Sequence, residues 1–287
     1  MKTVLVPTDF SENAAKALEY TIEIAKKEPI KIVLMHSYRV NYPTSHKYLA
    51  YDIITSAANS AKKESDALLK KFVRKILPVN HANIQFEYIS KEDFAFNAIL
   101  ETVEEKKADL IIMGTKGSGG LKQAILGSIA ARVVEKAPCP VIVIPEHSSV
   151  KNIKRITYAT SYHLNDFDFV EQLLEIVRPF KAELNFLHIS PDDNEDQQEL
   201  MHLFIYEVSK KVHYNNISHR LITGTDVVRE LEQYIKKEAP DLIVMPTRQR
   251  NVMDKIFHSS ITQQLVNKIE VPLMAFHSKK EEEVPFL

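Results

Sequence analysis

Five of the six glycines in this 287-residue chain fall within GTKGSGGLKQAILGS, the stretch from Gly114 to Ser128. Such a concentration marks a backbone that a neighbour approaches too closely for side chains. Gly114 directly follows the apolar run DLIIM, which reads as a buried strand, and Gly127-Ser128 opens the helical pattern SIAARVVEKA. The free N–H groups and dipole of a helix N-terminus favour a phosphate, and glycines let backbone N–H groups reach its oxygens. Ser128 adds a hydroxyl donor, to the helix start or to the phosphate. Spacing rules out two familiar phosphate loops. A P-loop needs Gly-x4-Gly-Lys-Ser/Thr, but Gly120 and Leu121 follow Gly114 and Gly119. The dinucleotide pattern Gly-x-Gly-x-x-Gly fails after Gly117-Ser-Gly119, and it belongs after the first strand of a unit, not the fourth. What remains is Gly114-x2-Gly117-x9-Gly127-Ser128, with Gly119 and Gly120 as flexibility in the span between.

Little else suggests a reaction. No Gly-x-Ser-x-Gly elbow, His-Glu-x-x-His or kinase signature occurs, so no catalytic residues are assigned. A phosphate cradle without a water-positioning base implies nucleotide retention, with slow hydrolysis at most. His202, His213 and His219 are separated by 11 and 6 residues, which does not place them on one helical turn, so no metal site is expected. Cys139, between Pro138 and Pro140, has no nearby His or basic cluster and reads as a small buried side chain, not a nucleophile.

The elements that must position the glycine stretch are strands alternating with helices. KTVLVP, KIVLMHSY, NIQFEYIS, DLIIMG and PVIVIP read as strands. Ser11 is a helix N-cap, followed by apolar Ala14, Ala17, Leu18, Ile22 and Ala25 at helical spacing. Residues 55–77 are expected to form a long amphipathic helix, and residues 94–108 another. This order implies a doubly wound α/β domain with a mainly parallel sheet. A formal net charge of -1 offers no global attraction to nucleic acid or membranes. No apolar run is long enough to span a bilayer, the N-terminus does not read as a signal peptide, and a lone cysteine permits no intrachain disulfide. A cytoplasmic location is the expectation.

The pattern occurs twice. The segment starting at Ala108 aligns without a gap on the one starting at Pro240, an offset of 240 − 108 = 132. Asp109 meets Asp241, Met113 meets Met245, Thr115 meets Thr247, Ser128 meets Ser260 and Pro140 meets Pro272. Earlier in each half the offset is 188 − 36 = 152, from His36 to His188, so the first copy holds about 20 extra residues between its second and third strands. They are expected in the segment RVNYPTSHKYLAYD and the helix after it. The two histidines share a position in both halves, which favours packing or a sheet-end hydrogen bond over catalysis. The domains are read as 1–147 and 152–278, with a charged tail at 279–287.

Gly114-x2-Gly117-x9-Gly127-Ser128, together with VPTDFSENAAKAL, VLMHSY, ADLIIMG and APCPVIVIP, resembles the universal stress protein family and its ATP-binding motif. The resemblance covers residues 1–146 and, more weakly, the second copy. It implies two tandem Rossmann-like or flavodoxin-like domains, of the adenine nucleotide α-hydrolase-like kind, with five-stranded sheets. It also implies roles. Asp9 would accept from ribose hydroxyls, with Pro7 and Thr8 along the same edge; Ser37 would sit by the adenine; Met113 would pack on the nucleoside. Gly114, Gly117, Gly127 and Ser128 would hold the phosphates, with the Ile129 N–H at the helix start. Mg2+ could bridge the phosphates, although no carboxylate pair marks a site for it. The closing strands PVIVIP and VPLMAF are expected to pair as an internal pseudo-dimer, and further homodimerisation stays open.

The second copy departs at each key position. Gly114 becomes Pro246, Gly117 becomes Gln249, Gly127 becomes Ser259 and Asp9 becomes Ser161. Pro246 lacks a backbone N–H, and two new side chains would occupy the phosphate approach. The function expected from the resemblance is a nucleotide-dependent stress-response or regulatory protein with ATP in its first half and an unidentified protein partner. The alternatives are a slow ATPase using the same pocket, or an adaptor whose nucleotide is structural.

Overall fold

The computed structural model describes residues 1–40, 51–77, 84–115, 127–146, 148, 153–162, 165–247 and 270–277. They form two compact units that divide between Val141 and Ile142. The first contains β1 (Lys2–Pro7), α1 (Glu12–Ala25), β2 (Ile30–Tyr38), α2 (Tyr51–Ile76), β3 (Gln85–Glu92), α3 (Ala95–Lys106), β4 (Leu110–Gly114) and α4 (Ser128–Lys136), with β5 (Val141–Ile144) beginning at the division. The second contains β6 (Arg155–Ala159), α5 (Asn165–Val177), β7 (Glu183–Ser190), α6 (Glu195–Val212), β8 (Ile217–Thr223), α7 (Val227–Glu238), β9 (Leu242–Thr247) and β10 (Leu273–His277).

In the first unit the strands run β3-β2-β1-β4, and the second repeats this as β8-β7-β6-β9 before β10. β1 is parallel to β2 and β4, and β6 is parallel to β7 and β9. Pro140, leading into β5, accepts the Ile111 N–H at 3.0 Å, and Pro272, leading into β10, accepts that of Ile243 at 2.9 Å. The architecture is therefore the expected tandem of doubly wound α/β folds. Central strands read as continuous apolar runs because helices cover both faces: Val4, Leu5 and Val6 are buried, as are Ile32–Met35 and Leu110–Met113.

Local signals account for most boundaries. Ser11 caps α1 by accepting the Ala14 N–H at 3.2 Å. Of the five apolar positions expected to face the core in α1, Ala14, Ala17, Leu18 and Ile22 are buried; Ala25 is half-buried, and Ile24 is buried instead. α2 starts at Tyr51, four residues before the expected helix, and has 26 residues against 18 for α6. Eight of the 20 additional residues therefore lengthen this helix. Among the described residues, no helix is long and apolar enough to cross a membrane.

Candidate functional site

Thr8, Asp9 and Phe10 form the turn from β1 into α1, and hydrogen bonds fix it at each residue. The Thr8 N–H donates to Met35 O at 2.8 Å, and Thr8 Oγ1 accepts the Phe10 N–H at 3.0 Å. Asp9 Oδ1 accepts the Ser11 N–H at 3.1 Å. Phe10 adopts the left-handed region at φ 63°, a strained state for a bulky residue that surrounding contacts must hold. Its ring lies 4.4 Å from that of His36 and 5.5 Å from that of Phe72. His36 Nδ1 is 2.8 Å from Thr8 O; a carbonyl only accepts, so this nitrogen carries the proton.

The same turn recurs in the second unit. Tyr162 has φ 58° and its ring lies 4.2 Å from that of His188. His188 Nδ1 lies 2.8 Å from Thr160 O, and Thr160 Oγ1 accepts the Tyr162 N–H at 2.9 Å. Both histidines thus form the sheet-end hydrogen bond that their repetition suggested. Burial holds the His188 imidazole below its ordinary pKa, favouring the neutral ring.

Because β1 pairs with β2 on one side and β4 on the other, three strand ends meet along one edge. Pro7 pairs with Met35, so Ser37 lies just beyond on β2. The register Val4↔Leu110 and Leu5↔Ile111 brings Pro7–Asp9 beside Met113–Thr115. The chain leaves β1 toward β2 and β3, and β4 lies on the other side, so β1 and β4 bound the switch point where open α/β sheets bind ligands. Thr8 and Met113 are buried, whereas Pro7, Asp9, Ser37 and Gly114 are partly accessible.

The start of α4 is tied to this edge by the Gly127 N–H, which donates to Thr115 O at 2.7 Å. Gly127 is the N-cap and supplies no side-chain cap, in contrast to Ser11, Asn194 and Asp226 at α1, α6 and α7. The N–H groups of Ser128, Ile129 and Ala130 therefore have no partner within the helix or from a cap. Ser128 and Ile129 are exposed. Gly117, Gly119 and Gly120 lie outside the described residues, as do Gln249, Ser259 and Ser260.

Gly114 has a packing reason of its own. A Cβ there would stand 2.8 Å from the carbonyl carbon and Cβ of Asn13 and 2.9 Å from its oxygen. The absent side chain lets α1 pack on β4. Pro246 at the equivalent place is a half-buried residue of β9, and α5 makes no comparable contact with β9 among the described residues. Thr115 was not singled out by sequence reasoning as a site residue; its identity with Thr247 across the repeat was the signal available.

Other candidates resolve simply. Burial, with a smaller contribution from Asp109, pushes the Cys139 thiol up to about 12, the opposite of nucleophile activation. Among the described residues, no group of three or more His, Cys, Asp or Glu could hold a metal. As their spacing indicated, His202 and His219 do not share a helical turn; they lie on α6 and β8, and their rings nevertheless meet across these two elements. In the second unit, Asp166 takes the place of Ala14 and is 1% exposed. It accepts from Thr160 Oγ1 at 2.6 Å and from Tyr158 Oη at 3.3 Å.

Comparison with known proteins agrees with this fold. The model of the universal stress protein family matches residues 1–145 and 152–277. The universal stress protein MJ0531 of Methanocaldococcus jannaschii is 35% identical over 147 residues, covering 50% of this chain and 81% of that protein. The universal stress protein YxiE of Bacillus subtilis is 29% identical over 146 residues, covering 49% of this chain and 97% of its own. A crystal structure of a universal stress protein from Archaeoglobus fulgidus aligns over 95% of this chain and 97% of its own, with a TM-score of 0.71 at 19% identity, a likeness of fold.

Proposed function

Because the chain belongs to the universal stress protein family, we propose that its N-terminal half binds an adenine nucleotide, ATP, and that occupancy is read by a protein partner in a stress response. The observation that carries this reading is the start of α4. Gly127 is anchored to Thr115 at the edge of β4, leaves the helix without a side-chain cap, and so presents three successive N–H groups to an anion. Gly114, kept without a Cβ by the approach of α1, borders the same opening.

In this proposal the phosphates lie against the N–H groups of Ser128 and Ile129, with the Ser128 hydroxyl and Gly117 as further contacts. The ribose hydroxyls meet Asp9, Met113 packs on the nucleoside, and Pro7, Thr8 and Ser37 line the edge toward the adenine. Any Mg2+ would be carried on the phosphates. The second half carries Ser161 in place of Asp9 and Pro246 in place of Gly114, and we assign it no nucleotide. Binding is thus one ATP per chain.

Isothermal titration of the full chain with ATP, beside a Gly127→Asp variant, tests the proposal. An Asp side chain suits an N-cap and would satisfy the helix itself, while placing a negative charge where the phosphates would lie. The variant should fold with unchanged or raised stability and bind ATP roughly tenfold more weakly or worse. Wild-type protein with no ATP binding at millimolar concentration, or a variant that binds as tightly as wild type, would refute it.

A further inference from the structure

His202 on α6 and His219 on β8 come from separate elements, yet their ring centroids are 5.8 Å apart with an interplanar angle of 75°. Both residues are exposed, so solvent and ions reach them. His219 lies opposite Phe186 in the β7–β8 ladder, and its neighbours Ser218 and Arg220 are engaged on the other face, with Asn185 and Tyr234. Strand alternation therefore directs His219 toward α6.

The separation of the rings is close to that of two imidazoles on one ion. An ion about 2.0–2.1 Å from one nitrogen of each imidazole lies roughly 3.2 Å from each ring centroid, and a tetrahedral angle then separates the centroids by about 5.2 Å. The observed 5.8 Å exceeds that by an amount that small side-chain rotations remove. Rings inclined at a steep angle can both point a lone pair at one ion.

We propose that His202 and His219 form a two-histidine site for a divalent transition ion of the imidazole-preferring class, with Zn2+ as the probe ion. Water completes the coordination shell, since no third His, Cys, Asp or Glu among the described residues joins the pair. Imidazole ligands select Zn2+, Cu2+ and Ni2+, whereas Mg2+ and Ca2+ require oxygen donors. The bound ion would clamp α6 to β8. His213, the residue ending α6 at φ 43°, is not part of the pair. Both histidines belong to the second unit, whereas the proposed nucleotide is assigned to residues of the first.

Titration of the nucleotide-free full chain with ZnCl2, followed by calorimetry, tests the site. The variants are His202→Asn and His219→Asn, with His213→Asn as the control; asparagine tolerates the left-handed backbone at that position. Outer-shell partners alone change metal affinity by 10–100-fold, so losing either direct ligand should weaken Zn2+ by at least about 100-fold. The control should bind as wild type, and MgCl2 should give no binding at this site. The proposal is overturned if wild type binds no Zn2+ at 100-fold molar excess, or if neither His202→Asn nor His219→Asn weakens binding. It is equally overturned if His213→Asn weakens binding as much as they do.

Discussion

Gly114 sits in the glycine-rich stretch assigned to phosphate binding, yet the fold needs it small whether or not a ligand binds. In Gly114→Ala, the new Cβ would lie 2.8 Å from two carbons of Asn13 and 2.9 Å from its carbonyl oxygen. Carbon contacts relax at about 3.5–4.0 Å, so the first turn of α1 must withdraw by roughly 0.7–1.2 Å. Two of the three obstructing atoms are backbone, so a change of side-chain rotamer does not relieve the clash. Overpacking of this kind costs about 1–3 kcal/mol. Alanine's smaller unfolded-state entropy offsets about 0.4–1 kcal/mol of it. The net loss lies between about 0 and 2.6 kcal/mol; the midpoint, about 1.3 kcal/mol, is a roughly tenfold shift in the folding equilibrium of the N-terminal unit. Urea titration of nucleotide-free protein would measure it, with amide exchange in β1 and β4 assigning the transition to that unit. ATP affinity should also fall, because moving α1 displaces the turn that carries Asp9. Undiminished stability alongside lost ATP affinity would refute the packing argument and leave the ligand as the sole reason for the glycine.

Three further outcomes follow from the two units. Thr160→Val removes the hydroxyl that donates to buried Asp166 at 2.6 Å, and should cost about 1–3 kcal/mol in urea denaturation. Thr8→Val, where Ala14 replaces the carboxylate, should cost less; equal losses would count against the Asp166 contact. With its thiol raised to about 12, native Cys139 should react with iodoacetamide at pH 8 on the order of 1,000-fold more slowly than in urea-unfolded protein. Labelling within tenfold of the unfolded rate would contradict the burial argument. His188 has a lowered pKa, so the unfolded chain binds its proton first as pH falls below about 6.5, and stability declines on acidification. The urea midpoint of the second unit should drop between pH 7 and 5.5, with a shallower slope in His188→Asn; an unchanged slope would remove His188 as the cause.

The elements that frame the candidate site were legible because their signals are local. The Gly114–Ser128 stretch lies between an apolar run and a helical pattern, so strand end and helix start followed from a window of a few residues. The repeat added a second signal, since the His36/His188 pairing singled out a structural hydrogen bond. Other features carry no local mark. Nothing in a Phe or a Tyr signals a positive φ, and the aligned pair Phe10 and Tyr162 became informative only as rings packed on those histidines.

The sequence by itself determined the order of elements, the duplication, and the placement of glycines between one strand and the next helix. Periodicity, capping residues and loop composition are properties of neighbours in the chain. Only the tertiary structure decided which distant residues meet. Asn13 and Gly114 lie 101 positions apart (114 − 13), yet α1 packs on β4 because β4 joins β1 on the side away from β2. The spacing of His202 and His219 places them on no common helical turn, and the tertiary structure brings their rings to 5.8 Å from two separate elements, α6 and β8. Chain spacing limits contacts within one helix or strand; between elements, packing of the sheet and its helices sets the distance.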